Sequence, residues 1–221
     1  MRSRDPDRTR AVQLAADAAA AGRPLEWFEQ LYSEAADPED VPWAELAPNR
    51  WLVREPALRD GSGRALVVGC GYGDDAAWLA AQGWTVTAFD IAPSAVQVAS
   101  ERFAGTGTEF VTADLLALPA EWSSSYDLVV EIFTLQVLPH SLRGQAFASL
   151  AGVLAPGGLL FVHCRLRNPD DPLGDFPWPL TPDEVRAGLA GLTFELFEDF
   201  LDQGDDPPVR RLRALARKPL R

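Results

Sequence analysis

The chain has 221 residues, of which 47% are hydrophobic, and carries a formal net charge of −12. This length and hydrophobic content suit one domain with a substantial core and exclude disorder throughout the chain. The acidic balance argues against a general nucleic-acid or anionic-membrane surface, because phosphate groups would repel it. Two cysteines, Cys70 and Cys164, are too few for a disulfide framework and indicate a reducing compartment.

The first 58 residues differ in composition from the rest of the chain. Residues 1–24 are predicted to form a polar, mobile arm that holds at most a short alanine helix ending at Gly22. Residues 25–58 are aromatic and contain four prolines, which permit short helices only, so a helical cap is predicted here. No stretch is apolar enough for a secretory signal or a membrane span, and a cytoplasmic location is therefore expected.

Residues 59–221 are predicted to form a single domain in which short apolar runs alternate with helical stretches. The predicted strands are 65–68, 85–89, 109–112, 128–130 and 158–165, followed by a hairpin of runs 192–201 and 209–216. The predicted helices are 74–82, 93–103 and 142–154. A capping box at Thr181-Pro-Asp-Glu184 starts one more helix. This pattern predicts an α/β fold with a doubly wound, mostly parallel sheet of seven strands and a C-terminal antiparallel hairpin.

A glycine-rich segment follows the first predicted strand. Gly69, Gly71 and Gly73 lie between the apolar run and a helix that begins at Asp74. Glycines let a ligand approach the backbone, although a tight strand–helix turn without a ligand has the same pattern. Asp90 ends the next strand, 21 positions after Gly69, where a carboxylate either accepts hydrogen bonds from ribose hydroxyls or caps the following helix. Together the two features predict a ligand that contains a nucleoside.

The glycine spacing favours one nucleoside cofactor. A dinucleotide fingerprint is G-x-G-x-x-G and leaves the helix N-terminus free for a pyrophosphate. Here the spacing is G-x-G-x-G, and Asp74 and Asp75 occupy the first helical turn. They would repel a pyrophosphate and attract a cationic amino-acid moiety, although helix-dipole compensation also explains them. S-Adenosylmethionine carries an ammonium and a sulfonium, and it is the predicted cofactor.

Five segments resemble the motifs of class I S-adenosylmethionine-dependent methyltransferases and occur in the same order. They are Gly69-Cys-Gly-Tyr-Gly73, Asp90, Thr112-Ala-Asp114, Tyr126-Asp-Leu-Val-Val-Glu131 and Leu154-Ala-Pro-Gly-Gly158. The resemblance covers residues 64–165 and implies a Rossmann-like fold and methyl transfer to a small-molecule acceptor. The Gly-Asp-Asp after the glycine loop and the aromatic cap also resemble the thiopurine and tellurite methyltransferase-like branch, in which a thiol or another soft nucleophile is the expected acceptor.

The resemblance implies a set of cofactor-binding residues, which are Gly69, Cys70, Gly71, Gly73, Asp90, Ile91, Asp114, Leu115, Glu131 and Ile132. In this set the glycine loop shapes the methionine end of the pocket and Asp90 holds the ribose. Asp114 accepts from the adenine amino group, unless it only caps a turn. Many class I enzymes have an acidic residue two places before the first glycine, and here that place is Val67. Either Asp74 or Asp75 is therefore expected to contact the methionine ammonium, or this end of the pocket binds more weakly.

Few side chains are available for acid–base chemistry. Glu131 and His140 are the candidate bases, although cofactor orientation also explains Glu131 and a loop position before a helix also explains His140. His163, inside a predicted strand, is expected to be a buried core residue. Trp43 is the candidate substrate or lid residue in the cap. No histidine–cysteine cluster has metal-ligand spacing, so no metal is predicted.

Two other functions fit parts of the sequence. An NAD-dependent oxidoreductase would need a pyrophosphate beside Asp74 and Asp75 and leaves the terminal hairpin unexplained. A non-catalytic protein that binds S-adenosylmethionine fits the glycine loop and Asp90 equally well. The sequence does not define the acceptor, the need for a base or the oligomeric state, for which a monomer is the simplest expectation.

Overall fold

The computed structural model describes residues 5–172, 176–204 and 207–220, with side chains from Thr9 onward. The α-helices are α1 (Asp5–Ala20), α2 (Trp27–Ser33), α3 (Arg50–Val53), α4 (Asp74–Ala81), α5 (Pro93–Arg102), α6 (His140–Val153) and α7 (Pro182–Gly188). Short 3₁₀ helices span Pro38–Asp40, Pro56–Leu58, Ala120–Trp122 and Leu135–Val137. The strands are β1 (Arg64–Val68), β2 (Thr85–Asp90), β3 (Glu109–Thr112), β4 (Tyr126–Ile132), β5 (Leu154–Arg165), β6 (Thr193–Asp202) and β7 (Val209–Arg217).

The seven strands form one mixed sheet in the order β3-β2-β1-β4-β5-β7-β6. Strands β1, β4 and β5 pair in parallel, as do β2 and β3, whereas β7 is antiparallel to both β5 and β6. The predicted α/β fold with a mostly parallel sheet and a C-terminal hairpin is therefore confirmed. The central strands are continuous apolar runs because both faces of a parallel sheet are covered, and in β1 every residue from Ala65 to Val68 is buried.

The chain packs as two compact units. The first is formed by the residues up to Gly61 together with Gly69–Asp114, and it contains the cap, the glycine loop, α4, α5, β2 and β3. The second is formed by Ser62–Val68 together with the residues from Leu115 onward, and it contains β1, β4 to β7, α6 and α7. Among the described residues, no helix combines the length and the apolar composition that a membrane span requires.

The N-terminal segment contains a longer helix than the short alanine helix predicted there. It forms the 16-residue helix α1, which ends before Gly22, a residue with φ of 72°, as predicted. Ala11 and Ala15 are 1% and 4% exposed. They are four residues apart and so share one helix face, which is apolar although the segment as a whole is polar.

Most other elements match the predicted boundaries within two residues. The exception is β5, which begins at Leu154 rather than at residue 158. Leu154 pairs with Tyr126 across a bulge, so the strand already includes the Ala-Pro-Gly-Gly segment that has the composition of a turn. Tertiary pairing overrides the local composition here.

Candidate cofactor site

The glycine loop, residues 69–73, leaves β1 with three glycines at φ values of 59°, 49° and 88°. A Cβ atom on Gly73 would lie 2.8 Å from the Phe110 ring and 3.0 Å from the Cβ atom of Ala99. Packing inside the first unit therefore requires Gly73 whether or not a ligand is bound. A Cβ atom on Gly71 would lie 3.1 Å from the Tyr32 hydroxyl, so an aromatic residue of the cap lies directly beside the loop.

Asp90, at the end of β2, ties the glycine loop to the strand end. It is 6% exposed, its Oδ2 accepts the Gly71 N–H at 2.9 Å, and its Oδ1 accepts the Ala92 N–H at 3.0 Å. Burial raises the pKa of Asp90, and the backbone N–H groups of Ala92 and Gly71 lower it in part. The N-cap of α5 is Ala92, so the alternative role of Asp90 as the N-cap residue is wrong. A carboxylate has about four lone-pair sites, and those not used by the backbone suit hydroxyl donors.

The end of β3 lies beside the end of β2 in the same unit. The Ala113 N–H donates to the backbone oxygen of Asp90 at 3.1 Å, which brings Asp114 to this strand end. Asp114 and Ile91 are both half-buried. The Cys70 N–H donates to the Phe89 oxygen at 2.8 Å and holds the loop against β2. The structure thus brings together the predicted residues of the loop, of β2 and of the segment after β3.

The two aspartates that begin α4 do not have the expected geometry. Both oxygens of Asp74 are engaged by Arg102, at 2.7 and 2.9 Å. Asp75 Oδ1 accepts the backbone N–H of Asn49 at 2.6 Å, and burial raises the pKa of Asp75 to about 7. Asp74 closes an ion pair between α4 and α5, and Asp75 fastens the cap to α4. Neither geometry matches a carboxylate held ready for a methionine ammonium.

Aromatic side chains of the cap pack around Tyr32, which the sequence analysis did not single out. The Trp43 Nε1–H donates to the Tyr32 hydroxyl at 2.9 Å, and the Tyr32 ring meets the Tyr72 ring edge-on at 5.2 Å. Trp43 is 36% exposed, whereas Trp27 is 3% exposed and stacks on Phe28. Tyr72 belongs to the glycine loop, so the cap contacts the loop through these two tyrosines. No local pattern distinguishes Tyr32 from an ordinary core tyrosine.

In the second unit, the predicted residues lie at the end of β4 and on the segment after Asp114. Glu131 is 0% exposed, and its Oε1 accepts the N–H groups of Thr134 at 2.7 Å and Leu135 at 2.9 Å. Its Oε2 has no hydrogen-bond partner among the described residues. Burial raises the pKa of Glu131 to about 7, against the lowering effect of those N–H groups. Ile132 is half-buried and Leu115 is buried.

His140 is the first residue of α6, where the predicted helix began two residues later. Its Nδ1 lies 3.0 Å from Glu184 Oε1, and the same oxygen accepts from Nη1 of the buried Arg143 at 3.0 Å. His140 is thus part of an ion network that joins α6 to α7. His163 is 1% exposed, with Nδ1 2.7 Å from the Leu212 oxygen, which agrees with the predicted core role.

Burial raises the pKa of both thiols, Cys70 and Cys164, well above the ordinary value, which keeps them protonated and poorly nucleophilic. The part of the chain that the structure describes contains no group of three or more histidine, cysteine, aspartate or glutamate residues arranged to hold a metal ion.

Comparison with known proteins shows the family to which the chain belongs. A family described as "Methyltransferase domain" matches residues 65–158. The ubiquinone biosynthesis O-methyltransferase of Caulobacter sp. (strain K31) is 33% identical over 171 residues, which cover 63% of this chain and 67% of that protein. The chain spans between 56% and 67% of the length of the first three curated relatives that it matches.

Two solved structures share the fold. One is described as "Conversion of a Disulfide Bond into a Thioacetal Group during Echinomycin Biosynthesis"; its TM-score is 0.71 at 22% identity, over 89% of this chain and 92% of that one. The other is the N-methyltransferase NodS of Bradyrhizobium japonicum WM9 in complex with S-adenosyl-L-homocysteine; its TM-score is 0.67 at 22% identity, over 86% and 98% of the two chains. The chain belongs to the class I S-adenosylmethionine-dependent methyltransferases. The predicted enzyme class and cofactor are therefore confirmed.

Proposed function

We propose that the protein transfers a methyl group from S-adenosylmethionine to a small soluble acceptor that carries a thiol or another soft nucleophilic atom. The observation that carries this proposal is the buried Asp90 carboxylate, which orders the glycine loop through Gly71 and keeps lone pairs for ribose hydroxyls. The cofactor supplies a methyl group already activated by the sulfonium, so the protein has to align the nucleophile with it and exclude water.

We assign cofactor binding to the residues that the resemblance indicates: Gly69, Cys70, Gly71, Gly73, Asp90, Ile91, Asp114, Leu115, Glu131 and Ile132. The Asp90 lone pairs that the Gly71 and Ala92 N–H groups leave unused, and the half-buried position of Ile91, support ribose and adenine contacts at the end of β2. Arg102 and Asn49 engage the carboxylates of Asp74 and Asp75, so we assign neither to the methionine ammonium. Neither Asp74 nor Asp75 therefore takes the place of the acidic residue that many class I enzymes have at the position of Val67.

We propose that the cap, residues 25–58, acts as a lid. Tyr32 beside Gly71 and the partly exposed Trp43 bonded to it support this role, because they place aromatic surface next to the glycine loop. Hydrogen exchange tests the idea: the cap amides should exchange more slowly with S-adenosylhomocysteine bound than without it. The amides of the fully buried β1 provide the reference. Equal protection of the cap in both states would make these aromatic residues ordinary core anchors.

The acceptor atom is the finer part of the proposal. A thiol ionises near neutral pH and needs little help, whereas a hydroxyl needs a base. The candidate bases are Glu131, whose Oε1 is committed to two backbone N–H groups, and His140, whose Nδ1 faces Glu184. The curated relative is named for transfer to oxygen and one structural neighbour for sulfur chemistry, so both atoms belong in the test. Likeness to the thiopurine and tellurite methyltransferase-like branch remains a prediction.

Calorimetry and a turnover assay test the proposed function. S-Adenosylhomocysteine should bind to micromolar protein, and NAD, the control, should not. Radiolabelled S-adenosylmethionine is then supplied with 4-nitrothiophenol, 2-mercaptoethanol or catechol, and the labelled product is counted. Binding without transfer to any of them would favour the non-catalytic alternative, and absence of binding would overturn the proposal.

A further inference from the structure

The turn that follows β4 contains a strained aromatic residue. Phe133 has a φ of 64°, in the left-handed region that bulky side chains rarely adopt. Leu46, Asp60 and Ser124 share this conformation and lie in loops, whereas Phe133 directly follows the last residue of a central strand. Strain of this kind persists only where the surroundings impose it, and it concentrates at functional sites.

Four hydrogen bonds impose this conformation. The Phe133 N–H donates to the His163 oxygen at 2.9 Å on the neighbouring strand β5. Glu131 accepts from the next two backbone N–H groups, those of Thr134 and Leu135, through a single oxygen. The Thr134 hydroxyl donates to the Val68 oxygen at 3.3 Å. A buried carboxylate that braces the turn is costly to desolvate, so the chain maintains this backbone shape at a cost in stability.

The Phe133 ring joins an array of rings and charges at the same edge of the sheet. Its centroid lies 5.0 Å from the His163 ring and 5.0 Å from Cζ of Arg211. The Phe200 ring stacks on His163 at 6.5 Å with an interplanar angle of 17°. We call Phe133, His163 and Phe200 the aromatic platform. Phe133 and Phe200 are half-buried, whereas His163 is fully buried beneath them.

A buried ion pair lies against the aromatic platform. Arg211 pairs with Asp202 at 3.2 Å, and both are buried. Phe133 follows the end of β4, Phe200 is near the end of β6 and Arg211 is near the start of β7. These positions all lie at the carboxyl edge of the parallel strands β4 and β5, the edge at which ligands bind in α/β sheets. The half-buried Phe133 and Phe200 rings, with the buried Arg211 against Phe133, present π-rich surface to that edge.

We infer that the aromatic platform is the surface that selects the methyl acceptor, and that the acceptor is a planar aromatic molecule. The inference rests on the proposed function and names its substrate class. A planar ring gains stacking on Phe133 and Phe200 that an aliphatic acceptor does not, and such ring pairs favour offset or edge-on geometry.

The test compares a planar phenol with a non-planar alcohol. Binding of 4-nitrophenol and cyclohexanol to the protein loaded with S-adenosylhomocysteine is measured by saturation-transfer NMR titration. The wild-type protein should bind 4-nitrophenol more tightly than cyclohexanol. Phe133→Ala and Phe200→Ala should each weaken the binding of 4-nitrophenol roughly five- to tenfold and leave the binding of cyclohexanol nearly unchanged. Phe133→Tyr, which keeps the ring, should stay within about twofold of the wild type.

Two controls separate stacking from structural damage. Phe194→Ala removes a half-buried ring from the opposite end of β6, and binding of 4-nitrophenol should not change. Phe133→Gly removes the ring and the strain together, so it should match Phe133→Ala in binding and unfold at a higher urea concentration than that variant. Calorimetry with S-adenosylhomocysteine on every variant reports the proposed function separately. If that ligand binds but the wild type shows no preference for 4-nitrophenol, or Phe133→Ala leaves the preference intact, the inference is overturned.

Discussion

In the first unit the buried carboxylate of Asp90 is held by backbone N–H groups, those of Gly71 and Ala92. In the second unit Glu184 accepts from a backbone N–H and also from side chains, with Arg143 Nη1 and His140 Nδ1 both 3.0 Å from its Oε1. Any residue supplies a backbone N–H, but only specific residues supply a guanidinium or an imidazole. The first arrangement therefore depends on chain path and the second on residue identity.

The largest loss of stability is expected for a substitution at Gly73, where neighbouring side chains of the first unit leave no room for a Cβ atom. Gly73→Ala forces a Cβ atom to 2.8 Å from the Phe110 ring at a φ of 88°. Gly105→Ala is the matched control, since Gly105 has a φ of 86° and no heavy atom within 4 Å of the added Cβ. Urea unfolding should show a loss of about 2–4 kcal/mol for Gly73→Ala and about 1 kcal/mol for Gly105→Ala. Equal losses would mean that only the backbone conformation matters at Gly73.

The raised pKa of the buried Glu131 carboxyl should be visible in how the free energy of unfolding changes with pH. Its pKa is raised from 4.5 to about 7, so below pH 7 the folded protein holds a proton that the unfolded chain releases above about pH 4.5. Its contribution to stability therefore falls as pH rises from about 4.5 to 7, by up to roughly 1.4 kcal/mol per unit and about 3 kcal/mol in all. Glu131→Gln keeps an oxygen for Thr134 and Leu135 and does not titrate. Urea-derived stabilities of the two proteins should converge at low pH; curves that stay parallel would contradict the shift.

Asp90 provides the test of the backbone-held site. Asp90→Ala should weaken S-adenosylhomocysteine binding by about 1.5–3 kcal/mol, roughly tenfold or more, because charge-assisted hydrogen bonds to ribose are lost. Asp74→Asn is the comparison within the same unit, since Arg102 occupies both oxygens of Asp74. Its affinity should remain within about twofold. Calorimetry that found equal losses for both variants would show that Asp90 only maintains the fold.

The same contrast explains which contacts could be predicted from the sequence and which could not. Gly71 and Asp90 are 19 positions apart in the sequence and are joined by a hydrogen bond. Both follow or end neighbouring strands of the sheet, so the sequence motif was enough to predict that they lie together. Glu184 meets residues 41 and 44 positions away, which no local pattern connects. The strained turn at Phe133 was equally hidden, because its cause is tertiary: a hydrogen bond to β5 and a carboxylate that braces the residues after it. The partners of Asp74 and Asp75, Arg102 and Asn49, were hidden for the same reason, because they come from other elements.

The smallest effect is expected for Glu184, and its pH dependence has the opposite sign to that of Glu131. Burial raises the pKa of Glu184, but the Thr181 N–H and Arg143 lower it by more than burial raises it, so the pKa is below its ordinary value of 4.5. The carboxylate therefore stabilises the fold above about pH 4.5, and this contribution is lost as pH falls through the lowered pKa. Glu184→Gln removes the charge that the buried Arg143 faces and should cost about 1–2 kcal/mol at pH 7.

Acidification should shrink the difference between Glu184→Gln and the wild-type protein, as measured by urea unfolding at a series of pH values. The matched control is Glu198→Gln, whose partner Arg213 lies at 2.9 Å in a pair that is 44% exposed on the glutamate side. Screening by solvent limits that pair to about 0.5 kcal/mol at any pH. A Glu184→Gln variant as stable as the control would show that Arg143 is held by the Leu138 and Trp178 oxygens alone, so that backbone groups are sufficient here as they are at Asp90.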